Sequence, residues 1–331
     1  MRWRGFFTLV GSLLPAVLQG QEFLETPPVQ EQNQHLRGQS QQSKRRYLST
    51  PNTTEAVSAD AEEASPAQAE ECSSECPCIA ALGDSVSVAF MAEIVPGFFN
   101  LSDTYSWTTG ENATLVESHF VRIRDQLGVS CLSAQNLAVP GAEMSGLVSQ
   151  ARRLRRGTQY VTVLAGTNDA CGWYLDSDEE LSQFASSYRE VLSEVFLRSP
   201  NASVLAGGVL PVDRVPQIAE EEPACRDTWA TWLVCMPFLG IGVSPEMLEE
   251  EGQRLDRADA LLQNVSAEFG DSVLFRSFDE DFEETGSPPS LGPEHMSEMD
   301  CFHPSGKGQE KIAAFLWNET FVRSAFADSI P

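Results

Sequence analysis

The stretch Ile79-Ala80-Ala81-Leu82-Gly83-Asp84-Ser85-Val86-Ser87 decides the fold. Its four apolar residues run straight into Gly-Asp-Ser. An apolar run closed by glycine reads as a buried strand stopping at a tight turn. A serine at such a turn stands at the carboxyl end of a sheet, where open α/β folds place their ligands. Gly-Asp-Ser alone is equally an ordinary turn, with Asp and Ser bonding the local backbone. The remainder of the chain separates these readings.

Working outward, strands alternate with helices. Leu115 to Leu127 has helical spacing (Val116, Phe120, Ile123, Leu127), closed by Gly128. Val129 to Val139 reads as a strand ending at Pro140-Gly141, and Met144 to Leu154 as a helix with arginines in its last turn. Tyr160 to Ala165 is the clearest strand and ends in Gly166-Thr167-Asn168-Asp169. Glu179 to Leu197 is helical, and Ser203 to Leu210 is a strand. Residues 212–244 read as irregular. Ser244 caps a helix opening at Pro245 and running to about Phe269. Ser272 to Phe278 is a further strand, residues 279–299 an acidic loop, and Lys307 to about Val322 a closing helix. This alternation predicts an α/β fold with a parallel sheet of about five strands, covered on both faces.

The N-terminus places Arg2 and Arg4 before an apolar run, Phe6 to Leu18, and then Gln19-Gly20. That order predicts a secretory signal peptide over residues 1–20. Residues 21–75 are rich in Gln, Glu, Ser, Ala and Pro and read as a disordered arm, removable as a propeptide. Lys44-Arg45-Arg46 within it fits either a processing site or a basic patch. Residues 76–331 form the expected folded domain. The sequons at Asn52, Asn100, Asn112, Asn201, Asn264 and Asn318, with eight cysteines, agree with a secreted, disulfide-bonded glycoprotein. The C-terminus carries neither a hydrophobic span nor a lipid-anchor signal. Twenty-two basic against 48 acidic residues give a net charge of -26, which disfavours nucleic acid and anionic membranes as partners. Cys72, Cys76 and Cys78 have metal-knuckle spacing, but without a matching Cys/His set they read as disulfide partners. The best local pairing is Cys225 with Cys235, while Cys171 and Cys301 stand where bridges near the site would lie.

Polar residues at three strand ends, with Asp300-Cys301-Phe302-His303 near the C-terminus, supply what acyl transfer requires. Ser85 is the expected nucleophile, His303 its base and Asp300 the orienting carboxylate, since residues three apart meet across a turn. The amides of Ser85 and Gly141 and the side chain of Asn168 are the expected oxyanion donors. The plainer alternatives are a turn glycine at Gly141, a helix cap at Asn168 and a surface role for His303. Of the other histidines, His35 lies in the arm, and His119 on an amphipathic helix reads as structural. His295 is the rival base, but it lacks an aspartate three residues upstream.

The set Gly83-Asp84-Ser85, Gly141, Gly166-Thr167-Asn168-Asp169 and Asp300-Cys301-Phe302-His303 resembles the SGNH hydrolases, or GDSL lipase/esterase superfamily. The motifs occur in the family's order over residues 79 to about 322. Asn168-Asp169-Ala170-Cys171, Cys301-Phe302-His303 and Trp317-Asn318 look most like its phospholipase-B-like branch. The resemblance implies a flavodoxin-like, three-layer α/β/α fold. It also implies hydrolysis of carboxylic esters with neither metal nor cofactor, and a lipid or phospholipid acyl ester is the expected substrate. Ser85, Gly141, Asn168 and His303 match the four namesake residues. Val86 departs from the family's usual leucine, and Ser87 breaks the Gly-x-Ser-x-Gly elbow of α/β-hydrolases. A carbohydrate O-acetyl esterase and an inactive secreted binding glycoprotein are the competing expectations.

Overall fold

A computed structural model describes residues 71–93, 103–280, 291–327 and 329. The expected signal segment, the arm up to residue 70, Lys44-Arg45-Arg46 and the sequons at Asn52 and Asn100 lie outside the described residues.

Five strands form the sheet: β1 (Cys78–Gly83), β2 (Ser133–Asn136), β3 (Tyr160–Leu164), β4 (Ser203–Gly207) and β5 (Val273–Arg276). Their order is β2-β1-β3-β4-β5, and every pairing is parallel. β1 and β3 are buried throughout and mostly apolar, because helices cover both faces of the sheet. β2 is the short, half-buried edge strand Ser-Ala-Gln-Asn, which trims the longer strand expected over residues 129–139.

Two layers of helices flank the sheet. One layer holds α2 (Leu147–Ala151), α4 (Asp178–Arg198) and α6 (Pro245–Ala267). Arg152, following α2, reaches Glu190 and Glu194 of α4, and Tyr188 of α4 bonds Ser266 of α6 at 2.9 Å. The other layer holds α1 (His119–Gln126), α7 (Gly306–Leu316) and α8 (Glu319–Ala325). His119 Nε2 donates to the carbonyl of Ala313 at 3.0 Å, which leaves Nδ1 to accept from the Tyr160 hydroxyl at 2.9 Å. Burial lowers the His119 pKa to about 3, so this histidine is a neutral core residue, as expected. The molecule is therefore a three-layer α/β/α fold.

Two expectations need correction. Residues 212–244 are mostly helical: a 3-10 segment Val212–Gln217, a turn Ile218–Glu221, α5 (Ala224–Trp232) and a turn Met236–Leu239. The pieces are short, and Pro216, Pro223 and Pro237 fall within or between them, so no long apolar period builds up. The closing helix is also broken. It stops at Leu316, and Asn318 recaps it by accepting the amide of Phe321.

The cysteine pairing differs too. The bridges are Cys72–Cys78, Cys76–Cys131, Cys171–Cys235 and Cys225–Cys301. Cys225 and Cys235 do not join each other. Cys225 stands in the first turn of α5 and Cys235 lies beyond its end, so the helix from Cys225 to Trp232 separates them by about 10 Å, whereas a disulfide needs Cα atoms within about 7 Å.

Candidate active site

Ser85 sits one residue beyond Asp84, in the turn that follows β1. The turn is tight because a Cβ on Gly83 would stand 2.4 Å from the Leu164 carbonyl oxygen and 2.4 Å from the Ser87 hydroxyl. Gln150 fixes the same residue from both sides, accepting the Gly83 amide at 2.9 Å and donating to its carbonyl at 2.8 Å. Asp84 is buried and accepts the Val86 amide at 2.9 Å. The Asx bond at Asp84 thus shapes the turn, as anticipated. Burial raises its pKa to about 6, against the opposing pull of the Val86 amide and the charge of His303.

The partner residues arrive on a loop closed at its base. Met296 bridges Pro304, and the Ser297 amide donates to the His303 carbonyl at 2.8 Å. Inside that loop Asp300 Oδ1 accepts the amides of Phe302 and His303, each at 3.0 Å. Its Oδ2 accepts from His303 Nδ1 at 2.5 Å. Nε2 of the same ring then faces Ser85 Oγ at 2.9 Å as an acceptor. Burial pushes the Asp300 carboxyl up, but the hydrogen bond and charge of His303, with the two amides, pull it further down, so it ends below its ordinary value. Phe90 and Phe302 set their ring edges against the imidazole at 5.0 and 5.3 Å.

The strand register brings a second group to the same place. Gly83 pairs with Leu164, so β1 and β3 end level. This is the point where the chain winds outward to both sides of the sheet, the usual ligand crevice of such folds. Gly166, at φ +113°, turns β3 into α3 (Thr167–Cys171), on whose first turn Asn168 stands. Asn168 Nδ2 donates to the Ala142 carbonyl at 3.0 Å and to Asp84 Oδ2 at 3.3 Å. Gly141 holds φ +78° in the intervening loop; a Cβ there would meet nothing within 4 Å, so backbone conformation and not space calls for glycine. Among the described residues, no acceptor takes the amides of Ser85 or Gly141, which remain available to a ligand.

All five residues border one cavity of about 400 Å³. Its walls are mainly apolar and include Leu210, Val212, Val215, Trp232, Val234 and Phe302. Several of these come from the 212–244 region, which the sequence pattern marks only as irregular. Two bridges hold that wall: Cys171–Cys235 ties it to α3, and Cys225–Cys301 ties it to the Asp300–His303 loop. Trp229 Nε1 also donates to the Asp300 carbonyl at 3.0 Å. The rival base His295 is not part of this cavity; its Nδ1 accepts the Gly292 amide at 3.0 Å.

The model of the GDSL-like lipase/acylhydrolase family matches residues 79–316. The chain belongs to the GDSL-like lipase/acylhydrolase family. Membership in this GDSL family implies ester hydrolase activity. No curated protein matches the chain. Among solved structures, an extracellular lipase from Streptomyces rimosus is 18% identical, covers 76% of this chain and 100% of its own, and superposes with a TM-score of 0.44. An active-site mutant of a family two carbohydrate esterase from Clostridium thermocellum is 16% identical, with 72% of this chain covered and a TM-score of 0.42. This chain spans 62% of that esterase's length.

Proposed function

We propose that this protein is a secreted serine hydrolase of lipid or phospholipid acyl esters, with Ser85 as nucleophile, His303 as base and Asp300 as its orienting partner. The observation that carries the reading is the chain Ser85 Oγ, His303 Nε2, His303 Nδ1, Asp300 Oδ2, with links of 2.9 and 2.5 Å, at the edge of an apolar cavity. Ser85 Oγ attacks the ester carbonyl as its proton passes to His303 Nε2. Asp300 stabilises the imidazolium, and its low pKa keeps it ionised to do so. The amides of Ser85 and Gly141 receive the oxyanion, joined by Asn168 Nδ2 once it swings from Ala142 or Asp84. The alkoxide leaves with the proton of His303. Water then gives a proton to His303 and its oxygen to the acyl carbon; the acyl–Oγ bond breaks, Ser85 Oγ takes that proton back from His303, and the carboxylic acid leaves.

The apolar walls favour an acyl chain over a sugar in the cavity. Four disulfides support an oxidising, extracellular setting. The sequons at Asn112, Asn201 and Asn264 are exposed and so accessible to glycosylation. Among the described residues, no helix is long and apolar enough to cross a membrane.

The test is a panel of p-nitrophenyl acetate, long-chain esters, phospholipid and acetylated oligosaccharide, run on wild type and Ser85→Ala. Wild type is expected to turn over acyl lipids, while Ser85→Ala remains folded and inactive. Preference for the acetylated sugar would support a carbohydrate esterase. Undiminished turnover by Ser85→Ala would exclude this site.

A further inference from the structure

Large apolar side chains stand exposed at five places among the described residues: Val139, Leu197, Trp232, Leu233 and Ile241. Leu197 lies near the end of α4, away from the cavity. The other four belong to two segments that contribute lining residues to the cavity. Val139 precedes Pro140 and Gly141 in one segment, and Leu233 stands between Trp232 and Val234 in the other; these four neighbours all line the cavity. Ile241, 80% exposed, follows on the same segment as Leu233.

That segment differs chemically from the rest of the chain. Charged residues make up 21% of the sequence, yet Thr228 through Pro245 contains none. Leu233 is 56% exposed and holds φ +55°, a left-handed conformation that disfavours a leucine by about 1 kcal/mol or more. Solubility and local backbone preference would both place Asn or Gly there. The segment is also braced. Cys171–Cys235 and Cys225–Cys301 fasten it to α3 and to the His303 loop, so its exposed side chains are fixed relative to the mouth.

We propose that this uncharged apolar rim is an interfacial docking surface, which seats the protein mouth-down on a neutral or zwitterionic lipid–water surface. The occupant follows from two features. The rim is continuous with the apolar cavity, so an acyl chain leaving the lipid phase passes from one apolar surface to the next without crossing water. The net charge of -26 repels anionic surfaces; Thr228 through Pro245 carries no cation, and Arg214 of the cavity lining is paired with Asp279. The inference rests on the lipid-ester reading of the Ser85 site.

The test separates docking from turnover. Ser85→Ala protein, which hydrolyses nothing, is floated with phosphatidylcholine vesicles and with vesicles containing phosphatidylserine. Binding to the first and weaker binding to the second are expected. Adding Leu233→Asn and Ile241→Asn is expected to weaken vesicle binding by about tenfold or more. Asparagine is also at ease in the left-handed conformation at position 233. In otherwise wild-type protein the same two substitutions should leave hydrolysis of monomeric p-nitrophenyl acetate unchanged. No flotation with phosphatidylcholine, or equal flotation by the substituted protein, overturns the proposal. So does a concentration-dependent dimer, seen by sedimentation, that the two substitutions abolish, because the rim's occupant is then a second copy. Absence of ester hydrolysis by the wild type would overturn the enzymatic reading alone, since flotation is judged on an inactive protein.

Discussion

At the residue scale, the position of Ser85 is set by contacts that its neighbours cannot relinquish. Gly83 has no room for a side chain, Gln150 clamps its amide and carbonyl, and Asp84 closes the turn. Asn168 is held differently. Its Nδ2 donates to Ala142 and, over a longer 3.3 Å, to Asp84. The longer bond is the one more readily exchanged for an oxyanion. Asn168→Ala is expected to lower kcat by about 10²- to 10³-fold with little change in KM, because a donor used chiefly in the transition state is lost. Steady-state kinetics on a soluble ester read this directly, and a rise in KM at constant kcat would assign Asn168 to ground-state binding. Asp84 was read from the sequence as a turn former. That role is present, but its second oxygen also contacts Asn168, a relation between residues 84 positions apart that no local pattern signals.

At the element scale, the wall of helical pieces between Val212 and Leu239 fits its surroundings by covalent attachment as much as by packing. Its two bridges meet the elements that carry Asn168 and His303. Cys225–Cys301 closes a loop with a sequence separation of 76, so its loss releases unfolded-state entropy worth up to about 4 kcal/mol. It also frees the backbone between Asp300 and His303. Replacing both cysteines with serine is expected to lower Tm by several degrees and kcat by about 10²-fold, since displacements near 1 Å suffice for such losses. Calorimetry and kinetics check the two effects separately. A variant with lowered Tm and full kcat would show that the bridge stabilises the wall without positioning the loop. The prolines that hid these helices from the sequence are the same residues that keep each piece short.

At the scale of the whole molecule, buried carboxyls give stability an unusual pH dependence. Burial raises Asp84 and Asp259 to about 6, and Asp169 and Glu251 to about 7. An acid whose pKa is raised by folding binds its proton more tightly when folded. Its contribution is therefore complete below its ordinary value and is lost as pH rises through the raised one. His119 acts in the opposite sense. Lowered by burial from 6.5 to about 3, it favours the folded state above its ordinary value and loses that contribution as pH falls. Asp300, lowered on balance, likewise loses its contribution in acid. Between about pH 5 and pH 8 the four raised carboxyls outnumber the single histidine, so Tm is expected to be several degrees higher near pH 5 than near pH 8. Thermal unfolding across that range measures it, and a Tm that climbs toward pH 8 would contradict the assignment.

The sequence by itself determined the α/β class, the five strands in their order and the residues Ser85, Gly141, Asn168, Asp300 and His303 as candidates. These are legible because period, turn chemistry and motif order are local or ordered along the chain. The short distance between Asp300 and His303 also follows from their three-residue spacing. Only the tertiary structure decided that His303 meets Ser85 across 218 positions and that β1 and β3 end level. It alone fixed the four disulfide pairs and placed Leu210, Val215 and Trp232 around one cavity. The physical reason is that these relations depend on packing in three dimensions. Local propensity specifies how each segment folds, whereas burial of shared apolar surface specifies which segments meet.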